Sequence, residues 1–526
     1  MKNEILKGTV ILVIAGIIVK ILGALYRIPL SNILGAEGIG VYQMIFPVFS
    51  LALIICSSGV SATLSLLIAR ARAEKNGNIK KIFFKGFFYC LFFSILFSIV
   101  FFFLADKIAV LQGNASAATG YRIMVIALVF ASLLSPFRGF FQGHSNMIPT
   151  AVSQMLEQFF KVLLGLFFAI IFTKKGIEFG VAGAFLGIGI AEAVAFFYLL
   201  IKFLLFKKSN FKQQEFLHIE KKSKTSAKEN GSNLSFAKIN LSITISCLII
   251  PFIMTFDSFV VINLLNLNFS EQISTALYGL QSGLVNSLIN FPIIISMALS
   301  MSLLPSLTFL ISKKKSTEVN EKMKEIFKTI WIIALPCIVV FIIFSDLIMQ
   351  ILYGVVSPQM LNIASTLLKI SAMEILFISV LQVSIAIFQS FGKEKMPIFI
   401  LVLCAIVKII LTLILVRNPN INIYGVALAN LIFYALSASI SLFLIKKKFK
   451  FCLDFKFFTV TLLSILISSI FFYEINVFIV NFWTKLSLIA ITGIIFYIIP
   501  LFLFGIIDLE KLGLKKNNNL KIDKKL

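Results

Sequence analysis

A small set of ionisable residues interrupts the long apolar stretches of this sequence. The cations are Lys20, Arg27, Arg138, Lys161 and Lys408, and the carboxylates are Glu157, Glu192, Asp257 and Glu374. An unpaired charge at the centre of a bilayer costs at least about 2.5–3.5 kcal/mol, so such residues are usually functional. We therefore predict that the cations bind an anionic substrate, and that the carboxylates pair with them or bind a coupling ion.

Spacing gives several of these residues a local alternative. Lys20 and Arg27 are seven positions apart and share one face of a helix, although Arg27 can also extend to the membrane interface. Glu157 and Lys161 are four positions apart, so an ion pair within their own helix is an alternative to substrate binding. Arg138 lies towards the end of its stretch, where water or headgroups can solvate it.

Asp257 is the carboxylate with the weakest local explanation, because no cation accompanies it in the stretch TFDSFVV. It needs a partner from another helix, a bound ion or a proton. Glu374 has Lys408 or Lys20 as candidate partners, and Lys408 has the headgroup region as its own alternative.

Histidine and cysteine do not form a catalytic or metal-binding pattern. His144 and His218 are isolated, and the six cysteines are scattered without a CxxC pair, whereas zinc sites use closely spaced ligands. The sequence also has no GxxxxGK[ST] phosphate loop. We expect no catalytic residues, no metal and no cofactor, so the chain is not expected to be an enzyme. Whether Na⁺ or H⁺ acts as a coupling ion stays open.

The elements that must position these residues are transmembrane helices. Of the 526 residues, 59% are hydrophobic and only 13% are charged, which is too little polar surface for a soluble protein. Apolar runs long enough to cross a bilayer as helix recur throughout the chain. We predict about fourteen such spans, near residues 8–31, 39–69, 82–104, 121–142, 150–172, 179–206, 237–266, 275–311, 326–345, 362–390, 396–416, 423–445, 457–480 and 485–507.

The distribution of Lys and Arg predicts the orientation of these spans. Lys and Arg are concentrated in loops on one predicted side, as in residues 70–81, 207–224, 313–315 and 446–450, and the loops on the other side carry few. Because basic loops are retained in the cytoplasm, we expect a cell-membrane protein with both termini cytoplasmic. The net charge of +25 is then explained by topology and by attraction to anionic lipids, and not by nucleic-acid binding.

The sequence also repeats itself. The stretch FQGHSNMIPTAVSQMLEQFFK from Phe141 resembles FQSFGKEKMPIFILVLCAIVK from Phe388, and three further pairs of segments match at offsets of 245 to 247. We predict two parallel, pseudo-symmetric six-helix lobes. The expected divisions are an N-terminal lobe (1–206), a cytoplasmic Lys-rich linker (207–236), a C-terminal lobe (237–450), two extra transmembrane helices (451–510) and a basic cytoplasmic tail (511–526).

The opening segment carries a family resemblance. Residues 7–52, KGTVILVIAGIIVKILGALYRIPLSNILGAEGIGVYQMIFPVFSLA, are followed by SGVSATLSLLIARARA, and Asp257 precedes YGLQSGL and Phe291-Pro292. This pattern resembles the polysaccharide-exporter branch of the multidrug/oligosaccharidyl-lipid/polysaccharide flippase superfamily, and within it the stage V sporulation protein B group. The resemblance implies two lobes arranged as a V around a central cavity, with the last two helices forming a groove for a lipid tail.

The same resemblance implies a function. Such proteins flip a lipid-linked sugar, and helix 1 supplies cations to the cavity; Lys20 falls at one of those positions and Arg27 beside another. Lys in place of the more usual Arg keeps the charge but loses bidentate geometry. The expected partners are lipid II or another lipid-linked oligosaccharide and anionic membrane lipids, and the chain is expected to be a monomer.

Two alternatives to a lipid flippase stay open. A multidrug or organic-cation antiporter shares the fold, but its cavity should be dominated by carboxylates. A non-transporting scaffold for wall synthesis is the other. The sequence does not specify which sugar is carried, which ion is coupled, or whether the role belongs to sporulation or to growth.

Overall fold

Helices account for almost the whole of the backbone that the structure describes. The computed structural model describes residues 2–74, 79–214, 229–449, 455–479 and 481–505, and these contain helices and turns but no strand. The all-helical structure of these residues follows from the apolar sequence, because a helix satisfies its own backbone hydrogen bonds where no water is present.

The helices follow one another with short connections. Three π-helical turns, Ile54–Ser58, Leu280–Val285 and Ile494–Ile498, join consecutive helices directly. In chain order the helices are α1 (Lys2–Leu53), α2 (Gly59–Glu74), α3 (Ile79–Phe103), α4 (Ala105–Leu111), α5 (Ala117–Gly143), α6 (Ile148–Thr173), α7 (Ile177–Gln214), α8 (Glu229–Leu265), α9 (Glu271–Gly279), α10 (Asn286–Ser312), α11 (Ser316–Ile343), α12 (Ser345–Tyr353), α13 (Pro358–Ser371), α14 (Glu374–Ser390), α15 (Lys395–Arg417), α16 (Tyr424–Phe449), α17 (Phe455–Phe478), α18 (Phe482–Gly493) and α19 (Ile499–Leu503).

Within the described residues, twelve helical segments are long and apolar enough to cross a membrane, or thirteen if α13 and α14, bent by 43°, form one span. The first of the twelve, Ala15–Ala73, is 59 residues long, nearly three times the roughly 20 residues that one crossing requires. It contains the first two spans predicted from the sequence. This merging explains why the number of uninterrupted segments is lower than the predicted fourteen.

Gly35 divides that first segment into two crossings. Its φ of 70° and ψ of −178° are not helical, and glycine adopts a positive φ without steric cost. In a straight helix, Arg27 and Phe46 would be about 28 Å apart. The Arg27 Cζ lies 5.6 Å from the centre of the Phe46 ring, so the chain reverses at Gly35 and the two arms of α1, residues 2–34 and 36–53, lie side by side.

The two halves of the chain repeat the same order of elements. A long helix is followed by a short one in each half, α3 by α4 and α11 by α12. The helices α6 and α15 begin 247 positions apart, at Ile148 and Lys395, and α7 and α16 begin 247 positions apart, at Ile177 and Tyr424. This offset equals that of the repeated sequence FQGHSNMIP and FQSFGKEKMP.

The halves meet mainly through α1. Its second arm packs against α8, α9 and the π-helical turn after α9. Gly40 of α1 and Gly279 of α9 form the closest approach, since a side chain on either would collide with backbone of the other helix. The last two long helices attach to the C-terminal half, where the Tyr497 hydroxyl donates to the Ile332 carbonyl of α11 at 2.8 Å.

The predicted linker is partly helical. Residues 207–214 continue α7, and residues 229–236 belong to the start of α8. The rest of the predicted linker and the predicted basic tail at 511–526 lie outside the described residues.

Candidate functional site

A cavity of about 320 Å³ lies between the two halves, where α1 and α6 face α10 and α14. Its polar lining consists of Lys20, Arg27, Gln158, Lys161, Ser287, Asn290 and Gln382. Its apolar wall comes from α1, with Val19, Ala24 and Phe46, and from α10, with Ile293, Ile294 and Met297. We call this space the first chamber. It combines the apolar wall and few convergent polar groups that are typical of a ligand site.

Three cations dominate the polar wall of the first chamber. Lys20 and Arg27 come from the first arm of α1, and Lys161 comes from α6. The Arg27 Nη1 lies 3.4 Å from the Ser287 Oγ of the other half. The Lys161 Nζ lies 5.9 Å from the centre of the Phe46 ring, the same ring that Arg27 approaches, so these two cations face a shared aromatic side chain.

None of these three cations forms a salt bridge within the part of the chain that the structure describes. Glu157 was a candidate partner of Lys161, four positions away, but its Oε2 instead accepts a hydrogen bond from Arg138 Nη2 at 2.7 Å. Arg138 belongs to α5, so this pair joins two helices. Lys161 therefore forms no ion pair with Glu157, and its side chain lines the first chamber.

A second chamber of about 260 Å³ adjoins the first. Both are lined by Lys20, Val19, Ile294 and Met297. The second chamber adds Arg138, Gln154 and Glu157 from α5 and α6, and it extends along α1 towards its N-terminus, to Gly16 and Ile17. The predicted residues Arg138 and Glu157 thus meet Lys20 in this second space.

Glu192 lies behind this region in α7. The residue is only 7% exposed, and it interacts electrostatically with Glu157, Arg138 and Lys161. It does not line either chamber. Its carboxyl group therefore contacts the polar cluster from the protein side.

Lys408, Asp257 and Glu374 form a separate buried cluster in the C-terminal half. The Lys408 Nζ donates to the Asp257 Oδ2 at 2.6 Å, with side chains 5% and 12% exposed. Of the three alternatives expected for Asp257, which were a partner from another helix, a bound ion and a proton, the structure shows the first. Glu374, at the start of α14, is 2% exposed, and its Oε1 has no hydrogen-bond partner among the described residues. None of the three lines either chamber.

Several lining residues were not predicted from the sequence. Gln154, Gln158, Asn290 and Gln382 are uncharged, so they gave no signal comparable to a charge in an apolar run. The available clue was proximity to the repeat, because Gln154 and Gln158 lie within the repeated stretch that begins at Phe141 and Asn290 immediately precedes the repeated Phe291-Pro292.

The end of the molecule that carries Gly35 and α4 is closed by hydrogen bonds between the halves. Residues 111–115, at the end of α4 and in the connection to α5, meet α8, α9 and the turn between them. The Gln112 Nε2 donates to the Ser258 Oγ at 3.0 Å, and the Asn114 Nδ2 donates to the Thr275 Oγ1 at 2.8 Å. The Ala115 N–H donates to the Glu271 Oε1 at 3.0 Å.

Two further asparagines complete this contact, which we call the polar latch. The Asn263 Nδ2 donates to the Leu111 carbonyl at 2.8 Å, and the Asn266 Nδ2 donates to the Gly113 carbonyl at 3.0 Å. Every one of these bonds joins the N-terminal half to the C-terminal half. The chambers therefore lie below a closed end.

No three His, Cys, Asp or Glu residues are arranged to hold a metal ion in the described ranges. The chemistry available in the two chambers is accordingly that of fixed cations, amides and one carboxylate, which bind a ligand by charge and hydrogen bonding.

Comparison with known proteins identifies the family. Residues 5–309 match the family model described as "Polysaccharide biosynthesis protein", and residues 243–414 match the model described as MatE. Stage V sporulation protein B of Bacillus subtilis (strain 168) is 26% identical over 432 residues, which are 81% of this chain and 81% of that protein. Lipid II flippase MurJ of the same organism is 24% identical over 470 residues, 85% of this chain and 83% of that protein.

The fold is shared with a solved structure as well. Lipid II flippase MurJ in an inward closed conformation aligns with a TM-score of 0.69 at 18% identity, covering 93% of this chain and 98% of that one. The predicted fold class, an all-helical multi-pass membrane protein with two repeated lobes, is confirmed by this likeness. So is the family resemblance predicted from the opening segment.

Proposed function

The chain belongs to the polysaccharide biosynthesis protein family, and we propose that it is a flippase that carries a polyprenyl-diphosphate-linked sugar from the inner to the outer leaflet of the cell membrane. The cargo on this proposal is lipid II or a related precursor of the wall, the spore or a polysaccharide. Lys20, Arg27 and Lys161 bind the diphosphate, and Arg138 lies beside them.

The observation that carries the proposal is the accumulation of like charge in the first chamber. Arg27 and Lys161 approach the same Phe46 ring, and no carboxylate within the described residues pairs with either. Adjacent cations in a space partly removed from water repel each other unless an anion lies between them. A diphosphate supplies two adjacent negative groups of the kind that Lys and Arg bind best.

A lipid diphosphate also suits the position of the chamber. The charged headgroup of such a lipid cannot cross hydrocarbon unaided, whereas the polyprenyl tail can stay in the bilayer throughout. A chamber between two repeated halves can be exposed to each side in turn when one half rocks against the other. On this proposal the polar latch opens when the chamber turns outwards.

The membrane potential supplies a driving force. Moving one negative charge outwards across a membrane with an inside-negative potential of 100 mV releases about 2.3 kcal/mol. A diphosphate therefore needs no nucleotide hydrolysis to move in this direction. We propose that any additional coupling by Na⁺ or H⁺ involves the buried carboxylates Glu192, Asp257 or Glu374.

The match of residues 243–414 to MatE raises a multidrug or organic-cation antiporter as a second candidate. A cationic drug requires a cavity with negative charge. The polar wall of the first chamber instead carries three cations and no carboxylate. The charge of the chamber therefore favours an anionic cargo.

A reconstituted vesicle assay tests the proposed function. Purified protein is placed in vesicles containing lipid II, and the appearance of lipid II in the opposite leaflet is followed with time. We expect Lys20→Ala with Arg27→Ala to slow this appearance at least tenfold, because a hydrogen bond to a charged group contributes about 1.5–3 kcal/mol.

The matched control is Arg70→Ala with Lys80→Ala, which removes the same two residue types from exposed positions outside both chambers. We expect this control to transport at the normal rate. A normal rate for the chamber variant, or no transport above empty vesicles for any polyprenyl-diphosphate sugar, contradicts the proposal.

A further inference from the structure

The two chambers differ in charge, although they adjoin. Apart from the shared Lys20, the first chamber is lined by the cations Arg27 and Lys161. The second is lined by Arg138 and Glu157, whose charges compensate each other at a distance of 2.7 Å. The first chamber therefore suits an anion, whereas the second suits a neutral group.

The polar groups of the second chamber suit a hydroxyl-rich ligand. The Arg138 guanidinium has five N–H donors, of which the described contacts use the Nε–H towards Ser153 Oγ at 3.1 Å and one Nη2–H towards Glu157. The Glu157 carboxylate accepts hydrogen bonds, and the Gln154 amide both donates and accepts. Sugar hydroxyls also donate and accept, so this set can satisfy them.

The opposite wall of the second chamber is apolar. It consists of Ile294, Met297, Ala298 and Met301 of α10. A pyranose ring presents C–H groups on its faces and hydroxyls around its rim. Methionine side chains are flexible and adapt to such an irregular surface. The chamber therefore offers an apolar wall to the ring face and a polar wall to the rim.

The position of Lys20 between the two chambers relates the phosphate of the ligand to its first sugar. Lys20 lines both chambers, so a phosphate bound near Lys20 in the first chamber places the next group of the ligand in the second. In a polyprenyl-diphosphate sugar, the group next to the phosphate is the first sugar. The two chambers are therefore adjacent in the order in which these two parts of the headgroup occur.

Building on the proposed flippase function, we propose that the second chamber is a specificity site that binds the sugar attached directly to the diphosphate. Gln154, Glu157 and Arg138 hydrogen bond to its hydroxyl or acetamido groups, and Met297 and Met301 pack on its ring. Sugar recognition is thereby separated from diphosphate recognition.

A binding measurement tests this assignment. The full chain in lipid nanodiscs is titrated with undecaprenyl diphosphate and with the same lipid carrying N-acetylglucosamine, N-acetylgalactosamine or galactose. We expect at least one sugar-bearing lipid to bind more tightly than the bare diphosphate. In Gln154→Leu and in Gln154→Ala this advantage should fall about three- to tenfold, the effect of losing a single neutral hydrogen bond.

The matched control is Gln158→Leu, one helical turn away on α6, because Gln158 lines only the first chamber. The ratio of the affinity for a sugar-bearing lipid to the affinity for the bare diphosphate lipid should not change in this variant. Equal binding of the bare diphosphate lipid and every sugar-bearing lipid overturns the specificity site. It is also overturned if the Gln154 substitutions leave the affinity ratio unchanged, or if Gln158→Leu lowers that ratio as much as they do. Absence of binding by all four lipids contradicts the proposed flippase function itself.

Discussion

Lys161 and Lys408 occupy corresponding positions of the repeated sequence but have different surroundings. In the C-terminal half, α8 presents Asp257 to Lys408, and the two form a buried ion pair. In the N-terminal half, α1 presents Arg27 near Lys161, and both cations face the first chamber. The corresponding lysine thus forms a buried salt bridge in the C-terminal half, whereas in the N-terminal half it lines the first chamber and forms none among the described residues.

The Asp257–Lys408 pair leads to a prediction about stability. Removing one partner leaves an uncompensated buried charge, which costs about 3–5 kcal/mol. We expect Asp257→Asn and Lys408→Met each to lower the thermal unfolding midpoint in detergent strongly, and the double variant to lose much less than the sum of the two. If the decreases in unfolding midpoint are additive in the double variant, or if neither single variant changes the midpoint, the two residues are not coupled in this way.

At the scale of elements, the contact between the halves is concentrated at the Gly35 end. The chain reverses at Gly35, and the second arm of α1 then packs against α9 at the Gly40–Gly279 crossing. The polar latch lies beside it, between residues 111–115 and the helices α8 and α9. Hydrogen bonds of this kind can be exchanged for bonds to water, which permits a contact to open and close.

The polar latch must open during transport if the proposed function is correct. We expect Asn114→Cys with Thr275→Cys to form a disulfide under oxidation, since these side chains are 2.8 Å apart. The cross-linked protein should lose transport in vesicles and recover it on reduction. Each single variant is the control for the effect of oxidation on the native cysteines, and undiminished transport after complete cross-linking would contradict separation of the halves at this end.

The Gly40–Gly279 crossing gives a second prediction at this scale. A Cβ at Gly279 would lie 2.6 Å from the Gly40 backbone nitrogen, so Gly279→Ala should push α1 and α9 apart at a cost of about 1–3 kcal/mol. We expect a lower unfolding midpoint. In the control Gly493→Ala, the new Cβ would meet its nearest atom at 3.5 Å, and stability should be maintained or raised. Equal stability of the two variants would contradict the close contact.

For the whole molecule, the repeated halves and the charged chambers together favour transport driven by the membrane potential. The fixed cations compensate the cargo within the protein, and the cargo carries negative charge across the membrane. An inside-negative potential therefore favours outward movement by about 2.3 kcal/mol per charge and 100 mV.

This effect predicts that the sign of the potential controls the rate. We expect lipid II to cross faster when the side that it leaves is made negative, and more slowly when the potential is reversed, as measured by its exposure in vesicles with an imposed potassium diffusion potential. Vesicles with the potential collapsed by an ionophore are the control. A rate that is independent of the sign would contradict movement of net negative charge.

The sequence alone was sufficient for the class of fold and for most of the charged residues of the site. Apolar runs must become helices in a bilayer, whatever their neighbours are. The repeat offset of 247 predicted two halves, and the helix starts of α6 with α15 and α7 with α16 have the same offset. Lys20 and Arg27 were expected on one face, since seven positions are two turns of helix, and both line the first chamber.

Only the tertiary structure decided which charges are paired and where the cavity lies. Asp257 and Lys408 are 151 positions apart, and Glu157 pairs with Arg138 of another helix instead of with Lys161 of its own. The uncharged lining residues and the polar latch are likewise contacts between distant segments. Hydropathy and periodicity are properties of one helix, whereas partner choice depends on how helices pack against each other, which no single segment of the sequence specifies.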